Sequence, residues 1–266
     1  MKVLFWGTEH GCGTTSSMAA VASYLSLHTP NRSICVQSKS SSGDLEFFFK
    51  PWERRLMLKE ESTYFALEGM DYLIWQEQHH SLDMDAVKDV LMPLFDYRMH
   101  YILRGARDKP GLYPEQTMKL QQKILSQLEQ SAEYIFVDIG CGKNDCLDQL
   151  LECADLLVVN LCGRQEEVYR YFNDPLPYEG KRLFLLSNSN YESVYNAQNL
   201  SRIYRIQNDD IFMVPMNAVF AQACMRGRME AFMKKSKGIH QGDRHAAFFM
   251  QLQKIANRVM EVTAHE

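Results

Sequence analysis

The stretch that decides the fold is Lys2–Ser16, which reads KVLFWGTEHGCGTTS. Its first five residues are apolar apart from the lysine and predict a β-strand over Lys2–Trp6. Glycines then break the pattern, and a helix follows from about Thr15 to Leu27. Glycines between a strand and a helix let backbone N–H groups approach an anion at the positive end of that helix. The stretch therefore predicts a phosphate-binding loop at the carboxyl end of the first strand.

The residues after the last glycine of the loop qualify this prediction. A Walker-type phosphate loop has a Mg²⁺-binding hydroxyl just after that glycine, and Thr15 or Ser16 provides one. Such a loop also has a lysine that reaches the β- and γ-phosphates, and this chain has Thr14 instead. A tight turn that uses glycine only for its positive φ is the alternative explanation. The loop alone leaves both interpretations open.

Further apolar runs along the chain alternate with longer helical patterns. The runs are nearly continuous, which is typical of strands covered on both faces, and the alternation with helices indicates a doubly wound sheet. We predict a single α/β domain over 1–266, with a mostly parallel sheet, helices on both faces, and a region near 47–97 that is helical but hard to assign. The later predicted strands are Ser33–Gln37, Tyr134–Val137, Leu156–Leu161, Leu183–Leu186 and Ile211–Val214, and the predicted core contains Val3, Phe5, Ile34, Val36, Ile135, Val137, Val158, Leu185 and Val214.

Three of these strands end in residues suited to a nucleotide site. Asp138 directly follows the third predicted strand and precedes a glycine pair, Gly140 and Gly142. An aspartate at the carboxyl end of a strand in an open α/β sheet can hold Mg²⁺ through water. Asn188 lies just beyond the fifth predicted strand, and Pro215 directly follows the sixth.

In this order and position, the segments resemble the MinD/ParA family of deviant Walker-type ATPases. The resemblance covers nearly the whole chain apart from 47–97, and the stretch Tyr101–Gly105 is similar to the TadZ/CpaE branch that positions pili. It implies a P-loop fold that binds ATP and Mg²⁺, forms a homodimer and serves protein partners of a larger assembly, such as a pilus or secretion machine. By this resemblance, Thr15 and Asp138 hold the metal, and the nucleotide is bound by Gly11, Cys12, Gly13, Thr14, Thr15, Ser16, Lys39, Asn188 and Pro215.

The chain departs from the family pattern at its charged positions. The family loop has an early signature lysine and a late second lysine, and the aligned residues here are Glu9 and Thr14. The family also has aspartates after its second strand, one of which orients the attacking water, whereas this chain reads QSKS over 37–40. Lys39 compensates in part if it reaches in from that loop. Losing two positive charges beside a triphosphate costs several kcal/mol, so we expect weak nucleotide affinity and negligible hydrolysis.

Two functional hypotheses follow from these residues. One is a nucleotide-binding switch, which Asp138 and the glycines favour; the other is a nucleotide-free pseudo-ATPase scaffold, which Glu9, Thr14 and Lys39 favour. Family members sandwich two nucleotides between facing loops, with each signature lysine crossing to the partner's phosphates. A carboxylate at that position repels phosphate, so we expect a homodimer that does not depend on nucleotide, helped by Lys39 or Arg104 pairing with the partner's Glu9.

A local excess of positive charge lies over Arg226–Arg244. Six basic residues stand against two acidic ones, a local charge of +4 on a chain whose formal net charge is −4. A solvated face is one explanation, and contact with DNA backbone or an anionic membrane is the other, which would make the chain a ParA-like partitioning protein. The residues that would make this contact are Arg226, Arg228, Lys234, Lys235 and Lys237.

The composition sets wider limits on the protein class. Hydrophobic residues make up 46% and charged residues 23%, which is typical of a globular protein. The apolar runs are shorter than the roughly 20 residues that a membrane span needs. Seven cysteines without a disulfide-framework or zinc-ribbon spacing predict buried, reduced thiols. We expect a cytoplasmic protein, with peripheral attachment to a membrane as the alternative location.

Overall fold

The computed structural model describes residues 1–38, 45–50, 67–105, 114–143, 147–187 and 193–263. Eight strands within these ranges form one sheet, in the order β3-β4-β2-β5-β1-β6-β7-β8. The strands are β1 (Lys2–Gly7), β2 (Ser33–Gln37), β3 (Met92–Leu94), β4 (Met99–Tyr101), β5 (Tyr134–Cys141), β6 (Leu156–Leu161), β7 (Arg182–Ser187) and β8 (Ile211–Val214).

Every neighbouring pair in this sheet is parallel except β3 with β4. Strand β1 lies in the middle, between β5 on one side and β6 on the other. Strands β2, β3, β4 and β5 lie on one side of β1, and the strands that follow them in the chain, β6, β7 and β8, lie on the other. Such a switch point in an open α/β sheet opens a crevice at the carboxyl ends of the strands, where ligands bind.

Helices flank the sheet on both faces, as the sequence predicts. The first helix, α1 (Thr14–His28), contacts the neighbouring strands β1, β2 and β5 at the centre of the sheet. Within the described ranges the helices are α1 (Thr14–His28), α2 (Glu46–Phe49), α3 (Met70–His79), α4 (Met84–Val90), α5 (Pro114–Leu128), α6 (Leu147–Glu152), α7 (Gln165–Asn173), α8 (Ala197–Tyr204), α9 (Ala218–Met225), α10 (Met229–Met233) and α11 (Ala246–Thr263), with 3-10 turns at Asn208–Asp210 and Lys234–Gly238.

The core has two layers because successive side chains of a strand point to opposite faces. On β1, Val3 and Phe5 join the layer under α1 and α11, whereas Leu4 and Trp6 join the layer on the other face. The side chains of the central strands are buried in both layers, which is why the sequences of these strands are apolar on both faces. The predicted core residues Val3, Phe5, Ile34, Val36, Ile135, Val137, Val158 and Leu185 are buried, and Val214 is partly buried.

Helix α11 packs against α1 and β8. Its residues Phe248, Leu252, Ile255 and Val259 are buried in the layer under α1. The apolar face of this helix therefore faces the interior of the protein. Among the described residues, no helix combines the length and the apolar composition that crossing a bilayer requires.

All six predicted strands are present, and the structure adds β3 and β4. These two form an antiparallel hairpin at one edge of the sheet, inside and just beyond the region predicted to be helical. The middle residue of β3 is Pro93, which is exposed and has no backbone N–H to donate to a further strand. The helical prediction near 47–97 holds for α3 and α4, whereas 51–66 lies outside the described residues.

Candidate functional site

The loop between β1 and α1 carries two glycines in the left-handed region of backbone space. Gly11 has φ 86° and Gly13 has φ 75°, values that side-chain-bearing residues rarely adopt. Gly13 is the N-cap of α1 and, as a glycine, has no side chain with which to cap the N–H groups of the first turn. Those N–H groups and the positive end of the helix dipole are the two features that attract a phosphate group. The loop therefore has the backbone geometry of an anion site.

A cavity of about 210 Å³ opens in front of this loop at the carboxyl ends of β1 and β5. Five of the predicted nucleotide-binding residues and the predicted metal residue Asp138 line it. Cys12 does not line it, nor does Pro215, and Lys39 and Asn188 lie outside the described residues. The lining residues are Glu9, His10, Gly11, Gly13, Thr14, Thr15, Ser16, Phe48, Asp138, Gly140 and Cys141.

The two predicted metal-binding residues are in direct contact. The hydroxyl of Thr15 donates to Oδ2 of Asp138 at 2.6 Å, from the first turn of α1 to β5. Asp138 is fully buried, and it also accepts from Nε2 of Gln37 at 3.0 Å and from the N–H of Gly140 at 3.0 Å. These three donors stabilise a charged carboxylate away from water. A hydroxyl and a carboxylate side by side are oxygen ligands of the kind that Mg²⁺ prefers.

Thr14, which stands where a Walker-type loop has its lysine, lies back against β1. A Cβ built on Gly7 would collide with the Thr14 hydroxyl, so the glycine leaves room for this side chain. None of the described residues that line the cavity is a lysine or an arginine, and two of them, Glu9 and Asp138, are acidic. The described lining therefore offers an anion backbone N–H groups but no lysine or arginine side chain.

Glu9, which stands at the signature-lysine position, pairs within its own chain. Its carboxylate accepts from the guanidinium of Arg164, which is the N-cap of α7, and lies 3.3 Å from Nη1 of Arg170 on the same helix. Arg104, which was expected to pair with Glu9 of a second subunit, is buried in the single chain. The phosphate loop is thus attached to α7 by an ion-pair cluster at the protein surface.

Cys12 lies between the two loop glycines and forms a disulfide with Cys162, 150 residues later in the chain. The expectation of reduced thiols is therefore wrong for this pair. The sequence does not indicate this contact, because the two cysteines are 150 residues apart. In the sheet β1 and β6 are neighbours, so the loops that follow these strands lie side by side. The other described cysteines, Cys35, Cys141, Cys153 and Cys224, are free thiols.

Glu167 supports the loop from below and was not identified from the sequence. It is buried, and it accepts from the Thr8 hydroxyl and from the N–H groups of Cys162 at 2.7 Å and Arg164 at 3.3 Å. Glu167 is the third residue of α7, where a glutamate often accepts from the backbone of the N-cap residue. This position was the feature of the sequence that could have identified it. Gln37 was also missed, although its place opposite Asp138 in the β2–β5 register follows from the order of the strands.

The free thiol of Cys141 lies at the wall of the cavity. Burial raises the pKa of this thiol, and the carboxylates of Asp138 and Glu9 raise it further. A negative thiolate is disfavoured in a low-dielectric site that already holds carboxylates. Cys141 therefore remains a neutral thiol at physiological pH and adds no negative charge to the cavity.

The basic residues of the Arg226–Arg244 stretch lie on the surface over α9, α10 and the following 3-10 turn. Arg226, Arg228, Lys234, Lys235 and Lys237 are all exposed. Lys234 pairs with Glu230 at 2.8 Å, one helical turn away. The structure therefore brings the five residues to one short segment, separate from the residues that line the cavity.

Comparison with solved structures places this architecture in context. A ParA family ATPase from Chlorobium tepidum TLS superposes with a TM-score of 0.66 at 14% identity, over 96% of this chain and 98% of that one. The septum site-determining protein MinD from Pyrococcus horikoshii OT3, solved with Mg-ADP, gives 0.66 at 12% identity, over 99% and 98%. A plasmid partition protein from Borrelia burgdorferi B31 bound to AMPPNP gives 0.61 at 13%, over 98% of both chains.

This is the fold of the ParA and MinD ATPases. The resemblance drawn from the glycine loop and the later strand ends is confirmed at the level of fold. No family model matches the sequence, and a search of curated proteins found no significant match. At 12% to 14% identity the likeness concerns the fold, so the activity of this ParA/MinD-fold chain is inferred from its own site.

Proposed function

We propose that this protein is a ParA/MinD-like positioning protein that binds Mg·ATP weakly in the cavity before α1 and hydrolyses it negligibly. The contact between Thr15 and Asp138 is the observation that carries the proposal. It joins a hydroxyl at the start of the phosphate-loop helix to a buried carboxylate, at the place where a nucleotide-bound Mg²⁺ would lie. The N–H groups of Gly11 and of Gly13–Ser16 would hold ATP, and Thr15 and Asp138 would hold Mg²⁺.

The electrostatics of the cavity determine how ATP would bind. Two carboxylates face the phosphates and no described lining residue is a lysine or an arginine. A divalent cation therefore has to offset the repulsion between Asp138 and the phosphate groups, because like charges at short range oppose binding by several kcal/mol. We expect ATP binding that depends strictly on Mg²⁺ and is weaker than in a loop with lysines. The missing water-orienting aspartate after β2 makes hydrolysis slow.

Isothermal titration calorimetry of the full chain tests this proposal. ATP is titrated with excess Mg²⁺ and with a chelator, into the native protein and into Asp138→Asn, Thr15→Ala and the exposed control Asp89→Asn. We expect binding only with Mg²⁺, its loss in the first two variants and its retention in the control. Binding of equal strength with the chelator would contradict the proposed metal role. Steady ATP turnover that Asp138→Asn abolishes would contradict negligible hydrolysis.

The nucleotide-free scaffold is the second candidate function. The pairing of Glu9 with Arg164 and Arg170 favours it, because this pairing ties the loop to its own chain through a residue of the wrong charge for phosphate. No heat of ATP binding in either buffer, with a protein that is folded, would support this candidate. The protein would then act through contacts with protein partners alone.

The exposed basic segment supports a proposal about partners. Arg226, Arg228, Lys234, Lys235 and Lys237 form a compact cationic surface that suits a DNA backbone or an anionic membrane. We place the protein in the cytoplasm, where such a surface would attach it peripherally to one of these polyanions. Service to a pilus or secretion assembly rests on the resemblance at Tyr101–Gly105. Pull-down of vesicles with anionic lipid and of duplex DNA, at low and high salt, shows whether the basic segment binds a membrane or DNA.

A further inference from the structure

We propose that Cys12 and Cys162 form a reversible thiol–disulfide clasp that controls the freedom of the phosphate loop. In the disulfide state the clasp fixes the loop to the segment between β6 and α7. In the dithiol state the loop is held only by hydrogen bonds and the surface ion pairs. The reductant is a dithiol and the oxidant is a small-molecule disulfide.

The position of the bond is the first argument for this proposal. Cys12 lies between Gly11 and Gly13, the two residues with left-handed backbone in the loop. Its Cα lies 4.9 Å from that of Cys162, at the start of the segment that leads into α7. The bond therefore joins the most conformationally permissive part of the loop to a rigid neighbour. A covalent bond between the two segments holds their separation fixed in the folded protein.

The surroundings of the two sulfurs differ, which determines where exchange starts. Cys12 is fully buried, whereas Cys162 is partly exposed. The Cys12 sulfur lies 3.4 Å from the Thr8 hydroxyl and 3.6 Å from Oε1 of Glu167. Thiol–disulfide exchange needs access of the attacking thiolate to one sulfur. An external thiolate can therefore reach Cys162 but not Cys12.

The exchange proceeds in two balanced steps. A thiolate of the dithiol attacks the Cys162 sulfur, the Cys12–Cys162 bond breaks, and the Cys12 sulfur leaves with the bonding electron pair and takes up a proton. The second thiol of the reagent, as its thiolate, then attacks the reagent sulfur that is bonded to Cys162, and the Cys162 thiolate leaves and takes up a proton. The protein disulfide has gained two electrons and two protons, and the dithiol has become a cyclic disulfide. In oxidation, the Cys162 thiolate attacks a small disulfide and releases one small thiolate, and Cys12, as its thiolate, then attacks Cys162 in the mixed disulfide and releases the second.

The chemistry is selective for this pair among the described cysteines. Burial raises the pKa of Cys153 to about 11 and that of Cys224 to about 12, and it raises the pKa of Cys35 further still. Cys141 also has a raised pKa, from burial and from neighbouring carboxylates. Because the thiolate is the reactive form, these four thiols exchange slowly at neutral pH. The pair at the loop responds to the redox environment while they remain unchanged.

The clasp acts together with the ion pairs of Glu9. Glu9 lies three residues before Cys12, and both side chains are attached to the segment at the start of α7, through Arg164 and through Cys162. In the disulfide state the loop has a covalent and an ionic attachment to that segment. In the dithiol state the ionic attachment and the hydrogen bonds of Thr8 remain, and exposed ion pairs contribute at most about 1 kcal/mol each. The loop is therefore free to open once the disulfide is reduced.

Hydrogen–deuterium exchange of the full chain without nucleotide tests the clasp. The protein is equilibrated with dithiothreitol or with oxidised glutathione, and alkylation with mass spectrometry identifies the linked peptide of Cys12 and Cys162. We expect amides of 8–13 and 160–164 to exchange about tenfold faster in the reduced protein, and Cys162→Ser to show the fast rate under both conditions. The control Cys141→Ser should behave as the native protein does.

Three results would overturn the proposal. One is a free thiol at both positions after treatment with oxidised glutathione; another is an exchange rate that is the same in both states. The third is stoichiometric binding of Zn²⁺ by the reduced protein that prevents reoxidation, because the pair would then be a metal site with Glu167. That alternative has a geometric basis, since the three ligand atoms lie within 4.8 Å of one another.

The effect of the clasp on ATP rests on the proposed function and is measured separately. Calorimetry should show that the Mg·ATP affinities of the reduced and the oxidised protein differ by about threefold or more, because loop geometry sets the positions of the phosphate-binding N–H groups. Redox-dependent exchange without ATP binding in either state would support the clasp and contradict the proposed function. ATP binding together with hydrogen exchange that is the same in both redox states would support the proposed function and contradict the clasp.

Discussion

The guanidinium of Arg170 lies 3.3 Å from the carboxylate of Glu9, so a helix of the same chain holds the acidic residue at the mouth of the phosphate loop. Arg164, six residues earlier, pairs with the same carboxylate. The two cations offset the negative charge that Glu9 brings to the loop. The substitution of a lysine by Glu9 is therefore accompanied by compensating charge on the neighbouring helix.

The first prediction concerns self-association. Glu9 pairs with Arg164 and Arg170 of its own chain, and its carboxylate cannot replace the lysine that would bind phosphates of another subunit. We expect the molar mass from light scattering to be the same with and without Mg·ATP. Glu9→Gln should leave that mass unchanged as well. A monomer that becomes a dimer only on addition of ATP would show that a nucleotide sandwich forms despite Glu9.

The second prediction concerns Thr14→Lys. A lysine at this position supplies the cation that the described lining of the cavity lacks, so ATP should bind about tenfold more tightly or better. The matched control is Thr14→Met, which has a long side chain without charge and also loses the contact with Gly7. Calorimetry with Mg·ATP measures both. Equal affinity in the lysine and methionine variants would count against phosphate binding at this loop.

The third prediction concerns the pH dependence of Cys141. Burial and then the charges of Asp138 and Glu9 raise the pKa of this thiol, so the reactive thiolate forms only at higher pH than in an exposed cysteine. The rate of alkylation by iodoacetamide should rise with pH along a curve displaced to high pH. Glu9→Gln removes one negative charge and should move the curve to lower pH.

The control for this measurement is Glu152→Gln, which neutralises an exposed carboxylate at the end of α6, before β6. The alkylation curve of this variant should match that of the native protein. If both variants shift the curve equally, the effect is one of net charge and not of the neighbours of Cys141.

The fourth prediction concerns the packing of α11. Leu252 is fully buried in the layer under α1, so Leu252→Ala should lower the free energy of unfolding by about 2–5 kcal/mol. Met250 on the same helix is 47% exposed, and Met250→Ala should change it by less than about 0.5 kcal/mol. Urea denaturation followed by circular dichroism measures both. A small effect of both substitutions would mean that the apolar face of α11 is not packed in solution.

The fold was predictable where the sequence pattern is local and strong. The strands of the sheet centre are runs of apolar residues, and the bounds Ser33–Gln37, Leu156–Leu161 and Ile211–Val214 agree with the structure. The glycines of the loop and Asp138 were recognisable because both occur at strand ends, where a doubly wound sheet gathers its site. Their meeting in one cavity follows from the adjacency of β1 and β5.

The hairpin β3–β4 was not predictable from local pattern. Each of its strands has three residues, and Phe95, Asp96 and Tyr97 in its turn have left-handed backbone without a glycine to signal it. Buried Phe95 anchors this turn against the core, which is a tertiary contact that overrides local preference. The Cys12–Cys162 bond and the Glu9 ion pairs were missed for a similar reason, because each joins residues about 150 positions apart.

The proline in the edge strand β3 restricts how copies of this protein can assemble. A further strand would need outward-facing N–H groups, and the central residue of this three-residue edge has none. The edge is thus closed to continuous β-sheet between subunits and to the strand-addition aggregation that long open edges permit. A strand added at this edge would lack a hydrogen-bond donor at its centre, which disfavours growth of copies along the sheet.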